Sequence, residues 1–360
     1  MASNRKEPDF VHQLFKEEKQ MTYIIAEIGQ NHNGSLETAK VLIEMARDAG
    51  VSAVKFTMRD LDHELTDEVA NAPYTSPNSY GDTYMEHRKK LELDIWEVSI
   101  LIQYAKDIGI QIVMTFCSYT LLIHPMIKDM ILPILNYIKV ASRDITNTLL
   151  MDKLAEMDIP LILSSGLSNF SEMSTAIQKL YKKDVSILHC VSKYPTSPKD
   201  AYLSRINILE DRFKKHRIGY SDHTEGYRAC VLAVAMGASI IEKHITLNKE
   251  GRGSDHSCSI EPAEFRDMIK EINEVNLLKG YNRMLSHDLQ DDEILANRKK
   301  LMRSVCSYRE IKSGDLIQYK DLCLLSPGDG IPSQSIHEIV GRELKDDLPA
   351  KTKIEWEMVK

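Results

Sequence analysis

Two stretches of the chain, GYSDHT at 219–224 and IIEKHIT at 240–246, set histidines and charges inside runs that otherwise look like buried strand. Successive strand side chains point to opposite faces. Ser221 therefore shares a face with His223, and Glu242 with His244, while Ile241, Lys243 and Ile245 take the other face. One such residue has an ordinary structural explanation, as a satisfied core histidine or a lysine reaching water. Many of them at strand ends do not, because unpaired buried charge is costly. The C-terminal ends of the other apolar runs add Glu27, Lys55 with Thr57 on its face, Thr115, Lys139 with Ser142, Ser164 with Ser165, and His189. Two neutral imidazoles with oxygen ligands suit a divalent cation such as Mn2+, Mg2+ or Co2+. With no thiolate in either motif, a closed structural zinc site is disfavoured. The lysines and hydroxyls suit an anion carrying phosphate and carboxylate, and Gly166 and Gly219 would let backbone N–H groups approach it.

Elements that could bring these residues together are legible as alternating short apolar runs and amphipathic stretches. Strands are predicted over 23–29, 53–58, 110–116, 137–142, 160–166, 186–190, 218–223 and 239–246. Helices are predicted over 35–49, with Ser35 as N-cap and Gly50 as stop, and over 226–236, ending at Gly237. Eight β-then-α units predict a (β/α)8 TIM barrel over 21–285, with a doubly wound open sheet as the structural rival. Its active site belongs at the strand C-termini. The long connection 59–93, with Tyr74, Tyr80 and Tyr84, would shape that site or an interface. A polar N-terminal arm (1–20) precedes the barrel. A charged linker (286–300) follows it, and the turn-rich segment 301–360 is predicted to be a small β domain.

Composition restricts the partners. A formal net charge of −7 leaves no basic surplus for nucleic acid. The six cysteines form no CxxC pair, which suits a reducing compartment. Without a signal peptide or a long apolar run, the expectation is a cytoplasmic protein with no membrane partner.

The ordered motifs AEIGQNHNG (26–34), VKF (54–56), KVAS (139–142), ILSSG (162–166), HCVSKYPT (189–196), GYSDHT (219–224), IEKHIT (241–246) and GSDHSCSIEP (253–262) carry a resemblance. From about Tyr23 to the C-terminus the chain resembles the sialic acid synthases, with an antifreeze-like (SAF, β-clip) domain at the end. The resemblance implies condensation of phosphoenolpyruvate with an N-acylated mannosamine-type sugar, or its 6-phosphate, to a nine-carbon 2-keto-3-deoxy acid. It implies His223 and His244 as metal ligands. Lys55, Thr115, Lys139, Ser142, Ser164, Ser192 and Ser221 become phosphoenolpyruvate contacts. Glu27, Asp144, Tyr194, Glu242 and Asp255 would face the sugar or handle protons, with Glu27 and Glu242 not separated. It further implies a domain-swapped homodimer in which the terminal domain covers the partner's site.

Three positions depart from the family pattern: Thr57 where Gln is usual, Arg143 where Gly is common, and Ser326 where several members place Arg. All three bear on the sugar. Two other functions remain open: a phosphoenolpyruvate aldol synthase making a shorter keto acid, and a non-catalytic binding protein.

Overall fold

The computed structural model describes residues 22–280 and 291–360. The predicted arm 1–20 lies outside the described residues, as does 286–290 of the predicted linker. Contacts divide the chain into two compact units, Met1–Lys279 and Gly280–Lys360.

In the first unit eight parallel strands close into a barrel: β1 (Tyr23–Gly29), β2 (Ala53–Met58), β3 (Gln111–Phe116), β4 (Tyr137–Val140), β5 (Leu161–Ser164), β6 (Val185–Cys190), β7 (Arg217–Asp222) and β8 (Ile240–His244). β8 pairs with β1, so no edge is left and the open-sheet alternative is excluded.

The alternation of side chains explains both the core and the site. Ile25, Ala53, Val113, Ile162, Leu188 and Ile240 form a small apolar cluster of their own, separate from the main core. Two residues further along the same strands come Glu27, Lys55, Thr115, Ser164, Cys190 and Glu242. Apolar residues thus plug the lower lumen, and the next inward layer is polar. The intervening outward residues, such as Ala26, Val54, Met114 and Ile241, join the core beneath the helices.

Helix α1 (Leu36–Ala49) shows how the sequence pattern becomes packing. Ser35 accepts a hydrogen bond from the Thr38 N–H, Gly50 ends the helix at φ 90°, and Ala39, Leu42, Ile43, Ala46 and Ala49 are buried. The long connection after β2 holds short helices, of which α2 (Tyr84–Leu91) is fixed by a capping box between Thr83 and Glu86. His87 on α2 stacks on Tyr74, with ring centroids 4.4 Å apart, and accepts from the Tyr80 N–H.

The second unit pairs β9 (Ser304–Ser307) antiparallel with β10 (Leu322–Leu325). Its core contains Val305, Ile311, Ile317, Ile331, Ile339, Leu344 and Ile354. Within the stretch read as linker, Asp292–Leu301 is a helix capped by Asp291. Ser326 donates to the Leu301 carbonyl within this unit. Among the described residues no helix is long and apolar enough to cross a membrane.

Candidate active site

One cavity of about 510 Å3 occupies the C-terminal mouth of the barrel. Glu27, Lys55, Thr115, Lys139, Ser142, Ser164, Ser192, Tyr194, Ser221, His223, Glu242, His244 and Asp255 all line it. Strand register puts Glu27 level with both Lys55 and His244, Thr115 level with Lys139, and Ser221 level with Glu242.

Charge is concentrated on the floor. Lys55 Nζ lies 2.7 Å from Glu27 and 3.8 Å from Glu242. Lys139 Nζ donates to both oxygens of Glu242, at 3.1 and 3.0 Å, and the Ser221 hydroxyl donates to the same carboxylate at 2.9 Å. These environments drive the two carboxyls apart. Burial raises Glu27 to about 7, with the Lys55 ammonium opposing it and the Glu242 charge adding to it. Burial also works against a charged Glu242, but Lys139, Lys55 and the Ser221 hydroxyl outweigh it and hold the group at about 2. Burial likewise lowers Lys139, against the pull of Glu242. Thr115 Oγ1 and Ser164 Oγ are buried without hydrogen-bond partners, so the protein leaves two hydroxyls free above the apolar plug.

The imidazoles stand at the rim, with ring centroids 5.5 Å apart. His223 Nδ1 faces the Val191 carbonyl at 2.8 Å and must therefore carry the proton, which leaves the Nε2 lone pair free. His244 Nδ1 is buried and has no hydrogen-bond partner; Asp255 Oδ2 lies 3.9 Å from it. Burial keeps both rings neutral, lowering His223 and taking His244 down to about 3. Burial opposes the charge of Asp255, but His244, Ser254 and Gln30 outweigh it and lower its pKa. Among the described residues no three His, Cys, Asp or Glu side chains stand ready as a closed metal cage. Two neutral imidazoles with unused lone pairs nevertheless fit a cation whose remaining positions are open to water and substrate. Tyr194 packs on His223, with centroids 4.1 Å apart, and keeps part of its ring exposed.

Four expectations need correction. His189 follows Leu188 and precedes Cys190, both of inward parity, so it points out of the barrel, meets the Ala201 carbonyl at 2.8 Å and stacks on Tyr220. Cys190 takes its place in the cavity. Ser165 turns its hydroxyl to the Leu188 carbonyl. Asp144 does not line the cavity: β4 ends at Val140, the 3-10 turn Ser142–Asp144 breaks the alternation, and the carboxylate faces Arg143 and Asn147. Neither glycine offers its N–H to an anion. Gly166 N donates to Ser142 Oγ at 3.0 Å, and Gly219 is a steric requirement, since a Cβ there would lie 2.4 Å from the Ile240 carbonyl oxygen.

The cavity wall also holds residues whose role the sequence did not reveal, notably Gln30, Arg59, Arg88 and Glu92. Gln30 lies inside the AEIGQNHNG motif, and Arg88 beside the tyrosines of the long connection, but neither follows a strand alternation that would aim it inward. Thr57 and Arg143, two of the three departures, line the cavity as well. Lys243, on the outward face as parity requires, is fully buried and bonds Asp222 Oδ2 at 2.7 Å and the Thr224 carbonyl at 2.6 Å.

Comparison with known proteins finds relatives along most of the chain. The chain is 34% identical to the N-acetylneuraminate-9-phosphate synthase of Drosophila melanogaster, over 91% of this chain and 92% of that one. It is also 34% identical to the N,N'-diacetyllegionaminic acid synthase of Legionella pneumophila, over 100% and 99%. The crystal structure of an N-acetylneuraminic acid synthetase from Leptospira borgpetersenii in complex with citrate superposes with a TM-score of 0.67 at 31% identity, covering 79% of this chain and 93% of that one. The SAF domain model matches residues 303–360, and the NeuB family model matches residues 42–284. A barrel with this polar floor, followed by an SAF domain, makes the chain a member of the NeuB family of sialic-acid-type synthases.

Proposed function

We propose that this protein condenses phosphoenolpyruvate with the open-chain aldehyde of an N-acylated mannosamine-type sugar, or its 6-phosphate, to give a nine-carbon 2-keto-3-deoxy acid and inorganic phosphate. The observation that carries this reading is the joint presence, in one cavity, of two buried lysines with free hydroxyls and a pair of neutral imidazoles. The two synthase relatives support it. Their near-equal identity leaves the sugar open between their two substrate types.

In this reading Lys55, Lys139, Thr115, Ser142, Ser164, Ser192 and Ser221 hold phosphoenolpyruvate, and Tyr194 and Asp255 face the sugar. A divalent cation such as Mn2+, Mg2+ or Co2+, held by His223 and His244, supplies Lewis-acid polarisation of the aldehyde when bound. The C2–C3 π electrons of phosphoenolpyruvate form the new bond to the aldehyde carbon, whose oxygen takes a proton from solvent water. Water then adds at C2 and yields a proton to Glu27, the carboxyl with a near-neutral pKa. Glu242 stays ionised and offsets the positive charge that develops at C2. The C2–O bond to phosphate breaks, the C2 hydroxyl gives its proton to the leaving phosphate, and the keto group forms.

Under the same reading the protein is a homodimer in which the SAF unit covers the mouth of a second subunit's barrel. The test is phosphate release from phosphoenolpyruvate with Mn2+ present, across N-acylated hexosamines, their 6-phosphates and shorter aldose phosphates. Release only with a mannosamine-type sugar is the expected result. Release only with a four- or five-carbon aldose phosphate transfers the protein to the shorter-chain synthases, and no sugar-dependent release removes the proposal.

A further inference from the structure

Three segments are joined beside the imidazole pair by a chain of side-chain hydrogen bonds. Gln30 follows the end of β1, Arg88 sits on α2 of the long connection, and Asp255 lies beyond the end of β8. Arg88 Nη1 donates to Gln30 Oε1 at 2.6 Å, and Gln30 Nε2 donates to Asp255 Oδ2 at 3.0 Å and to Ser254 Oγ at 2.9 Å. Chemistry allows the amide only one orientation. A guanidinium has donors and no acceptor, so the atom facing Arg88 is the amide oxygen. The amide NH2 must then face Asp255, which has to accept.

Arg88 is buried, its Nη2 bonds Glu92 Oε1, and its Nε has no partner. An ion pair one helical turn apart would not need burial or the Gln30 contact, and a buried arginine with an unfilled donor is costly. The chain of bonds ends on the same Asp255 oxygen that stands 3.9 Å from the unpartnered His244 Nδ1. Donors that share a cation roughly 2.1 Å from each stand about 3 to 4 Å apart.

We propose that Arg88 and Gln30 are positioning residues that hold Asp255 Oδ2 facing His244, so that Asp255 adds an oxygen donor to the cation site. The inference rests on the reading of His223 and His244 as that site. Metal-free, full-length protein is titrated with Mn2+ alone by calorimetry, for wild type, R88M, R88K, Q30M, D255N, H244A and the double variant R88M/D255N. Residues that orient a metal ligand by hydrogen bonding are worth about 10- to 100-fold in metal affinity. R88M, Q30M and D255N each weaken Mn2+ binding about tenfold, and R88K recovers part of the loss because its ammonium still donates to the amide oxygen.

The double variant binds as D255N does, within about twofold, because the effect of Arg88 passes through Asp255. Phosphoenolpyruvate affinity, measured separately, stays at the wild-type value, which a general loss of structure would not permit. If R88M does not fold, Q30M alone decides, since Gln30 is only half-buried. Wild-type Mn2+ affinity in Q30M, or multiplicative losses in the double variant, overturns the inference. Unchanged affinity in H244A removes the cation reading and the inference together; lost affinity in H244A with Q30M unaffected removes the inference alone.

Discussion

Lys139 on β4 and Glu242 on β8 meet across the barrel lumen, four strands apart around the ring, with the ammonium bonded to both carboxylate oxygens at 3.0 and 3.1 Å. A bound anion must draw Lys139 partly away from this carboxylate. Lys139→Met should therefore weaken phosphoenolpyruvate at least tenfold by calorimetry, with the sugar KM changed less than about threefold. The variant also leaves Glu242 with only Lys55 at 3.8 Å and Ser221, and breaking a buried pair costs about 3–5 kcal/mol. A selective rise in the sugar KM would show that the anion floor is misplaced.

Glu27 and Glu242 differ in protonation although both are buried carboxyls. With Glu27 at about 7 and Glu242 at about 2, only Glu27 changes charge near neutrality. If its carboxylate accepts the proton from water, kcat/KM rises with pH through about 7. Glu27→Gln should flatten that limb and lower kcat by about 10²–10⁴-fold. A limb retained in Glu27→Gln would assign the titration to another group.

The same groups set opposite stability trends. Glu27 is raised from 4.5, so its contribution is full below about 4.5 and is lost as pH rises through about 7. Glu242 is lowered from 4.5, so its contribution is full above about 4.5 and is lost as pH falls toward about 2. Thermal melts of Glu27→Gln against wild type should therefore show their gap changing between pH 4.5 and 7, and little below. A gap constant over that range would contradict the burial-driven rise of Glu27.

The outward pair Lys243–Asp222 provides a control without chemistry. Both side chains are fully buried, and Lys243→Met strands the Asp222 carboxylate, at a cost of about 3–5 kcal/mol in unfolding free energy. Folded Lys243→Met protein at low temperature should bind phosphoenolpyruvate as wild type does. A selective loss of that affinity at full stability would give Lys243 a role in the site.

Strand alternation made much of this site legible. It placed Glu242 with His244 and Ser221 with His223, and it sent Lys243 outward. It works only while the backbone stays extended. Asp144 was misplaced because a 3-10 turn begins right after β4. His189 faces away from the lumen because Leu188 and Cys190, on either side of it, take the inward parity. Gln30, in the loop after β1, and Arg88, on α2, stand 58 positions apart, and neither has a periodicity that announces the other. Their meeting depends on how the long connection folds back on Tyr74, Tyr80 and His87.

The most direct measurement follows the oxygen that joins carbon to phosphorus. Phosphoenolpyruvate carrying 18O at the C2–O–P bridge is incubated with the protein, Mn2+, and N-acetylmannosamine or its 6-phosphate. The account predicts inorganic phosphate that retains the label, released in equal amount with a nine-carbon keto acid. Unlabelled phosphate, or phosphate released without a new carbon–carbon bond, would contradict it.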